Sequence, residues 1–371
     1  MIKRLSVSNY RSLGENVSVE LGPFTALVGP NGSGKSNVVD VLRFVSDAMH
    51  LGLSGAISSR GGIGAIRRWS GGHPHSIAIG LELTLETGHP ASYSFTVRGD
   101  RAEDFKIQSE EAAVWNGEEE FRFWIESGRW TGGPPGLVPP LDGKGLVLPI
   151  IGGDARFQPL VSTLQQIAVY TIFPDTLRTP QKYSTVKPMD RHGSNWSSVL
   201  LGQPETTWKP DLVSALQKLT GDIEDIEISK TGGYAFVRFR HASVDRKPMW
   251  LDALQESDGT LRVAGLLSAL LQEPCVPVIA LEEPELTIHP GAIPLLYDFL
   301  KEASRRSQII VTTHSPELLD LMDVDEIRVV LRSARGTEVR PMAENQRQAV
   351  RSGLLTLGDV FRTEGLQAEP E

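Results

Sequence analysis

Three short stretches of this chain carry residue types at spacings suited to phosphate chemistry. The first, Gly29-Pro30-Asn31-Gly32-Ser33-Gly34-Lys35-Ser36, is a complete Gly-x-x-x-x-Gly-Lys-Ser phosphate-binding loop. It follows the apolar run Phe24–Val28 and precedes a helical-looking stretch, Asn37–Val45, the strand–loop–helix context in which the motif works. Successive backbone N–H groups of such a loop face phosphate oxygens, and glycine lets the backbone come close. Asn31, Gly32, Ser33, Gly34 and Asn37 are therefore expected to surround the phosphates. Lys35 would reach the β- and γ-phosphates, Ser36 would offer its hydroxyl to Mg²⁺, and the helix would present its positive end.

The second stretch, Pro277–Pro290, reads PVIALEEPELTIHP. Its apolar run Val278–Leu281 predicts a buried parallel strand, ending in the adjacent carboxylates Glu282 and Glu283. Neighbours on an extended chain point to opposite sides, so the two are given different jobs: Glu282 to the metal or its water shell, Glu283 to polarising the attacking water as general base. The third stretch, Gln308–Pro316, reads QIIVTTHSP. Another apolar strand ends in His314, with Ser315 as N-cap and Pro316 at the first helical position. Ligands bind at the carboxyl ends of parallel strands, which gives His314 a role at the same chemistry. A fourth segment, Ser257-Asp258-Gly259-Thr260, precedes the apolar run Leu261–Leu271 and predicts a helix N-terminus, whose open N–H groups attract anions.

The three stretches, with the segment Ser257-Asp258-Gly259-Thr260-Leu261-Arg262, resemble the ABC-type ATPase heads of the RecF and structural-maintenance-of-chromosomes class. Within that class the likeness is to short AAA-family ATPases related to overcoming-lysogenization-defect proteins. The resemblance makes Lys35 and Ser36 the Walker A lysine and magnesium serine, Glu282 the Walker B acid in a place usually held by aspartate, and Glu283 the catalytic glutamate. Ser257, Asp258, Gly259 and Thr260 match the signature motif, which in the family binds the γ-phosphate held by a partner protomer. Leu286–Pro290 falls where the family's dimer-contacting loop lies, and His314 matches the switch histidine. Ser8-Asn9-Tyr10-Arg11-Ser12-Leu13 resembles the family's opening, in which the basic residue, here Arg11, lies near nucleotide. The lobe-linking glutamine has three candidates, Gln158, Gln165 and Gln166.

The resemblance implies an α/β fold: a P-loop NTPase with an ABC-ATPase-like core (a mixed central sheet with flanking helices), an inserted antiparallel β-sheet and a helical lobe. Lobe I is expected in two parts, 1–150 with Walker A and the β insertion and 273–371 with Walker B and the switch histidine. Lobe II with the signature would be 151–272. The implied cofactors are ATP and Mg²⁺, and the implied partner is a second copy of the chain, closing over two nucleotides. No heptad run survives over several heptads, so the long coiled-coil arm of the class is not expected. The 57 residues after His314 are too few for the TOPRIM nuclease domain of longer relatives, so cleavage is assigned to a separately encoded effector.

Composition sets the outer bounds. The 371 residues are 40% hydrophobic and 22% charged, ordinary globular values. The net charge of −9 argues against nonspecific coating of nucleic acid, although it leaves DNA open as a partner. Arg60, Arg67 and Arg68 form one basic cluster, and Arg328, Arg332, Arg335 and Arg340 another. Both read as solvated surface. The lone Cys275 excludes an intrachain disulfide and fits a reducing cytoplasm. No run reaches membrane-spanning length.

Along the chain, Gly and Ser dominate 50–72, which reads as a long mobile segment. Ser76–Thr87 and Ala91–Arg98 alternate as a hairpin, and Asn116-Gly117 marks a second. Phe157–Tyr170 has helical spacing, Tyr183–Thr207 reads as irregular, and Pro210–Leu219 as a helix. The functional reading is an ATP-hydrolysing dimer switch in DNA repair or phage defence. The rivals are an ATP-binding regulator or scaffold of low turnover, and the nucleotide-binding subunit of a membrane transporter.

Overall fold

The computed structural model describes residues 1–68, 76–101, 104–242 and 249–369. They form two compact units. One comprises Met1–Ile167, Asp323–Leu355 and Thr363–Glu371, and the other Ala168–Met322 and Thr356–Arg362. The second unit is thus an excursion from the first, although the cuts fall after 167 and 322 rather than at 150 and 272. The acidic strand and His314 accordingly cluster with the signature helix.

The first unit holds a seven-stranded antiparallel sheet in the order 17–20, 2–8, 76–84, 90–101, 104–115, 120–126, 129–132. Its strands form because apolar residues alternate. Ile77, Ile79, Leu81 and Leu83 share a buried face with Tyr93, Phe95 and Val97 opposite them. The expected turn at Asn116 is present: its Oδ1 accepts from the N–H groups of Glu118 and Glu119, which closes the second hairpin. Glu110, on the buried side of this sheet, accepts from Tyr93 Oη and from the N–H groups of Val147 and Leu148. Burial pushes its carboxyl up to about 7 against those bonds. The same unit carries strand Phe24–Val28, parallel to Ile327–Ser333, which pairs antiparallel with Gly336–Pro341.

The stretch 50–72 departs from expectation. The helix that starts at Lys35 runs to Ser58, kinked at Gly52, and Ile63–Ile66 adds one more turn; residues 69–72 lie outside the described ones. Leu53, Ala56 and Ile57 are buried, so a helical apolar stripe overrides the weak propensity of the glycines. Arg60 is not solvated either. Its side chain is 4% exposed and pairs with Asp40 at 3.1 Å and Asp47 at 2.8 Å.

The second unit sets strands Gln308–Thr313 and Val278–Glu282 side by side in parallel, with Ile167–Tyr170 beyond. Phe157–Tyr170 is therefore not one helix: Gln158–Gln165 is helical, and Ile167 and Ala168 belong to the strand. A smaller antiparallel sheet joins Ile223–Thr231, Tyr234–His241, Met249–Asp252 and Gln181–Lys182. The stretch read as irregular contains helix Trp196–Leu201, and the helix expected from Pro210 begins at Glu205. Trp196 and Trp208 are fully buried, and the area each removes from water anchors these helices. Among the described residues, no helix is long and apolar enough to cross a membrane.

Candidate functional site

In the first unit, the five residues of strand Phe24–Val28 are all buried, and the chain leaves the strand directly into the phosphate loop. Gly34 caps the following helix in the left-handed region, φ 111°, where other residues are strained. A Cβ there would also collide with Thr337 Oγ1 and Ser12 Oγ. Those two hydroxyls brace the loop. Thr337 Oγ1 donates to the Ser33 carbonyl at 2.6 Å and lies 2.8 Å from Ser12 Oγ, which also accepts from Asn37 Nδ2 at 2.6 Å. Asn37 thus serves the loop's shape from behind.

Lys35 is buried, and its Nζ donates to the carbonyls of Gly29 at 2.9 Å and Pro30 at 3.2 Å. Ser33 Oγ is buried with no hydrogen-bond partner. Asn31, Gly32 and Ser36 are exposed, with open space beside Gly32. An ammonium curled over its own loop, an unsatisfied buried hydroxyl and the open N–H groups of a helix start fit a polyphosphate. Arg11 lies in the same unit with a positive φ of 48°. Its guanidinium pairs with Asp40 at 3.1 Å, the carboxylate that also accepts from Tyr10 Oη at 2.6 Å. Burial works against that charge, but bonds from Arg60 and Tyr10 outweigh it and hold Asp40 below the usual carboxylate range.

In the second unit, the two carboxylates that follow the acidic strand part company. Glu282 Oε2 accepts from Thr171 Oγ1 at 2.5 Å and from Arg191 Nη2 at 2.8 Å. Glu283 turns the other way because it leaves the strand with φ 46°, left-handed for a non-glycine residue. Its N–H is held by the Thr312 carbonyl at 3.0 Å and Thr312 Oγ1 at 3.1 Å. The Glu283 carboxylate lies 3.8 Å from His314 Nε2. The structure thus brings together the expected base and the expected switch histidine, on the ends of adjacent parallel strands.

The signature segment opens helix Asp258–Leu271, with Ser257 as N-cap accepting from the Thr260 N–H at 3.1 Å. Asp258 Oδ1 accepts from Arg178 Nη2 at 2.5 Å, and the same nitrogen donates to the Glu256 carbonyl. Gly259 lies against the Thr287 carbonyl, which a Cβ would approach to 3.1 Å.

Sequence reading missed four residues here. Thr171 and Arg191 reach Glu282 from 111 and 91 residues away, and no local pattern announces them. His241 bridges Glu256, next to the signature, at 2.6 Å and Asp222 at 2.9 Å. Glu285 lay in plain view two positions after Glu283. It is mostly buried, and its Oε1 accepts from Thr313 Oγ1 at 2.6 Å and the His314 N–H at 3.2 Å. Burial raises its pKa despite those bonds.

As for metal, the described residues contain no group of three or more His, Cys, Asp or Glu able to hold an ion. Mg²⁺ carried by a nucleotide takes one or two protein oxygens and keeps phosphate and water as its other ligands. Of the two residues assigned to the metal, Ser36 is exposed at the start of its helix in the first unit, and Glu282 is engaged by Thr171 and Arg191 in the second.

The strands, the phosphate loop and the helix that follows it define a P-loop nucleotide-binding protein with an ABC-ATPase-like core. The chain belongs to the family described as "AAA domain, putative AbiEii toxin, Type IV TA system", whose sequence pattern matches residues 24–320. Among its relatives is the Old nuclease of Escherichia phage P2, 22% identical over 367 aligned residues, covering 91% of this chain and 60% of the relative. The OLD nuclease of Thermus scotoductus is 49% identical over 45 residues, 12% of this chain and 8% of that one. The chromosome partition protein Smc of Bacillus subtilis is 48% identical over 62 residues, 16% of this chain and 5% of that one. The chain thus spans less than two thirds of each of these relatives.

Two solved structures share the fold. The Smc head bound to the C-winged helix domain of ScpA superimposes with a TM-score of 0.59 at 16% identity, covering 94% of this chain and 99% of that one. The Smc head domain with an extended coiled coil, bound to the C-terminal domain of ScpA derived from Pyrococcus furiosus, gives 0.57 at 13% identity, covering 95% and 99%. The chain is thus similar in fold to Smc heads and, at low identity along most of its length, in sequence to an Old nuclease.

Proposed function

We propose that the chain binds and hydrolyses ATP as a nucleotide-driven homodimer switch, working in DNA repair or phage defence with a separate effector. The observation that carries hydrolysis, rather than binding alone, is the Glu283–His314 pair: an exposed carboxylate turned out of its strand by a left-handed residue and set 3.8 Å from an imidazole. Lys35 exchanges two loop carbonyls for phosphate oxygens, and the loop amides gather the rest of the anion. Bound Mg²⁺ supplies charge neutralisation at the phosphates. Glu283 accepts the proton of the attacking water, and His314 orients the same water and the γ-phosphate. Glu285 holds the His314 backbone in place. Ser257–Thr260, on the free end of a helix, meets the nucleotide bound by a second copy, so turnover needs two chains.

The test is phosphate release by the purified chain, alone and with linear DNA, beside Glu283→Gln. The substitution is expected to lower kcat roughly 100-fold or more while ATP affinity stays. ATP binding without phosphate release by the wild-type chain defeats the hydrolytic reading. It would favour the low-turnover regulator, to which one observation already lends weight: Arg191 neutralises Glu282.

A further inference from the structure

Arg262 stands one turn into the signature helix, buried, its side chain spent on backbone carbonyls. Nη1 donates to the Ile172 carbonyl at 2.6 Å. Nη2 donates to the Glu283 carbonyl at 2.7 Å, with the Glu282 carbonyl at 3.5 Å. Nε is buried without a partner. A guanidinium is an expensive way to satisfy carbonyls in an interior. What it secures is particular: one acceptor belongs to the left-handed Glu283 itself, and another follows Thr171, which binds Glu282. One side chain therefore ties the helix that begins with Ser257–Thr260 to the backbone under both carboxylates.

We propose that Arg262 is the positioning residue for Glu283, and that through it the state of the signature segment sets the general base of the same chain. The inference rests on the dimer reading above. There, a chain's signature segment meets the nucleotide held by its partner, whereas its Glu283 acts on its own nucleotide. A helix is stiff over one turn, so a shift of its first residues on an anion carries the guanidinium with it. The two carbonyls it holds then move together. Glu283 becomes competent only when the partner's nucleotide is in place, and the two sites fire as a coupled pair.

The experiment compares wild type, Arg262→Gln, Arg262→Lys and Glu283→Gln for ATP binding, ATP-driven association, kcat, KM and the Hill coefficient for ATP. Arg262→Gln is expected to keep KM within roughly threefold, lower kcat by about 30-fold or more, and drop the Hill coefficient from near two toward one. Arg262→Lys, which retains a charge but contacts fewer carbonyls, should recover part of the rate. A merely structural arginine would change melting temperature and rate together and leave the Hill coefficient alone. Wild-type turnover and cooperativity in an Arg262→Gln protein that binds ATP and associates would overturn the proposal.

If Arg262→Gln does not fold, mixed dimers of wild type with Ser257→Arg decide. The change sits at an exposed helix cap and disables one site directly. Coupling predicts activity far below half, because the altered chain's own Glu283 is also left unset; a clean half overturns it. If the wild-type chain releases no phosphate at all, the hydrolytic reading fails and this inference goes with it.

Discussion

Glu282 shows how one methylene changes a site. Aspartate at the end of this strand would hold its carboxylate close to the backbone, whereas glutamate reaches Thr171 and Arg191. Arg191 therefore competes with any metal or metal-bound water for the same oxygens. Arg191→Ala should lower the Mg²⁺ concentration needed for half-maximal ATP hydrolysis by roughly twofold to fivefold, the scale of a partly exposed charge pair. A Mg²⁺ titration showing no change, or weaker Mg²⁺ use, would remove Arg191 from the metal's affairs. At this scale the sequence showed the loop, the two glutamates, His314 and both serine caps, because each is defined by neighbours a few residues away. Thr171, Arg191 and the targets of Arg262 were hidden. Their partners lie 20 to 111 residues off, and nothing in a neutral threonine or a surface-like arginine tells where the chain will return.

Elements, rather than single residues, account for the departures from expectation. Helix Lys35–Ser58 outlasts its glycine-rich stretch because Arg60, beyond its end, folds back onto Asp40 and Asp47. Removing the cation leaves Asp40 with Arg11 and Tyr10, and Asp47 with the more distant Arg43. Arg60→Ala should therefore cost about 3 kcal/mol, the low end for breaking a buried pair, read from the midpoint of guanidinium unfolding; a loss under about 0.5 kcal/mol, as at ordinary surface sites, would show that the helix end stands without it.

The antiparallel strand Tyr234–His241 acts on the signature helix through its last residue. Burial disfavours the charged His241 ring, but the bonds it donates to Asp222 and Glu256 more than offset this and raise its pKa. The folded chain then binds this proton more tightly than the unfolded one. The stabilisation is full below the unfolded value of about 6.5 and fades as pH rises through the raised folded value. The melting-temperature gap between wild type and His241→Gln should accordingly be widest in mild acid and close in alkali. A gap that widens toward alkali would reverse the sign and sink the argument.

Across the whole molecule, the sequence conveyed the class of fold, since motif order and strand alternation survive at any distance. It did not convey where the units divide, because that depends on which helix covers which strand. Two apolar side chains remain in solvent beside the proposed contact surface, Leu254 at 68% and Leu286 at 51% exposure. They flank the signature segment and the acidic pair, where the dimer reading puts a second copy. In light scattering, Glu283→Gln with ATP and Mg²⁺ should carry the mass of two chains, and adding Leu286→Asp should return it to one without loss of ATP affinity. Persistence of the doubled mass would move the contact elsewhere.

The brace behind the phosphate loop has a consequence for synthesis. Ser33 receives its hydrogen bond from Thr337, 304 residues later, and Ser12 depends on the same residue. A ribosome translating this message exposes the nucleotide motif early but delivers its keystone late. Until that threonine emerges, the nascent polypeptide carries the letters of the motif without the two hydrogen bonds that brace it.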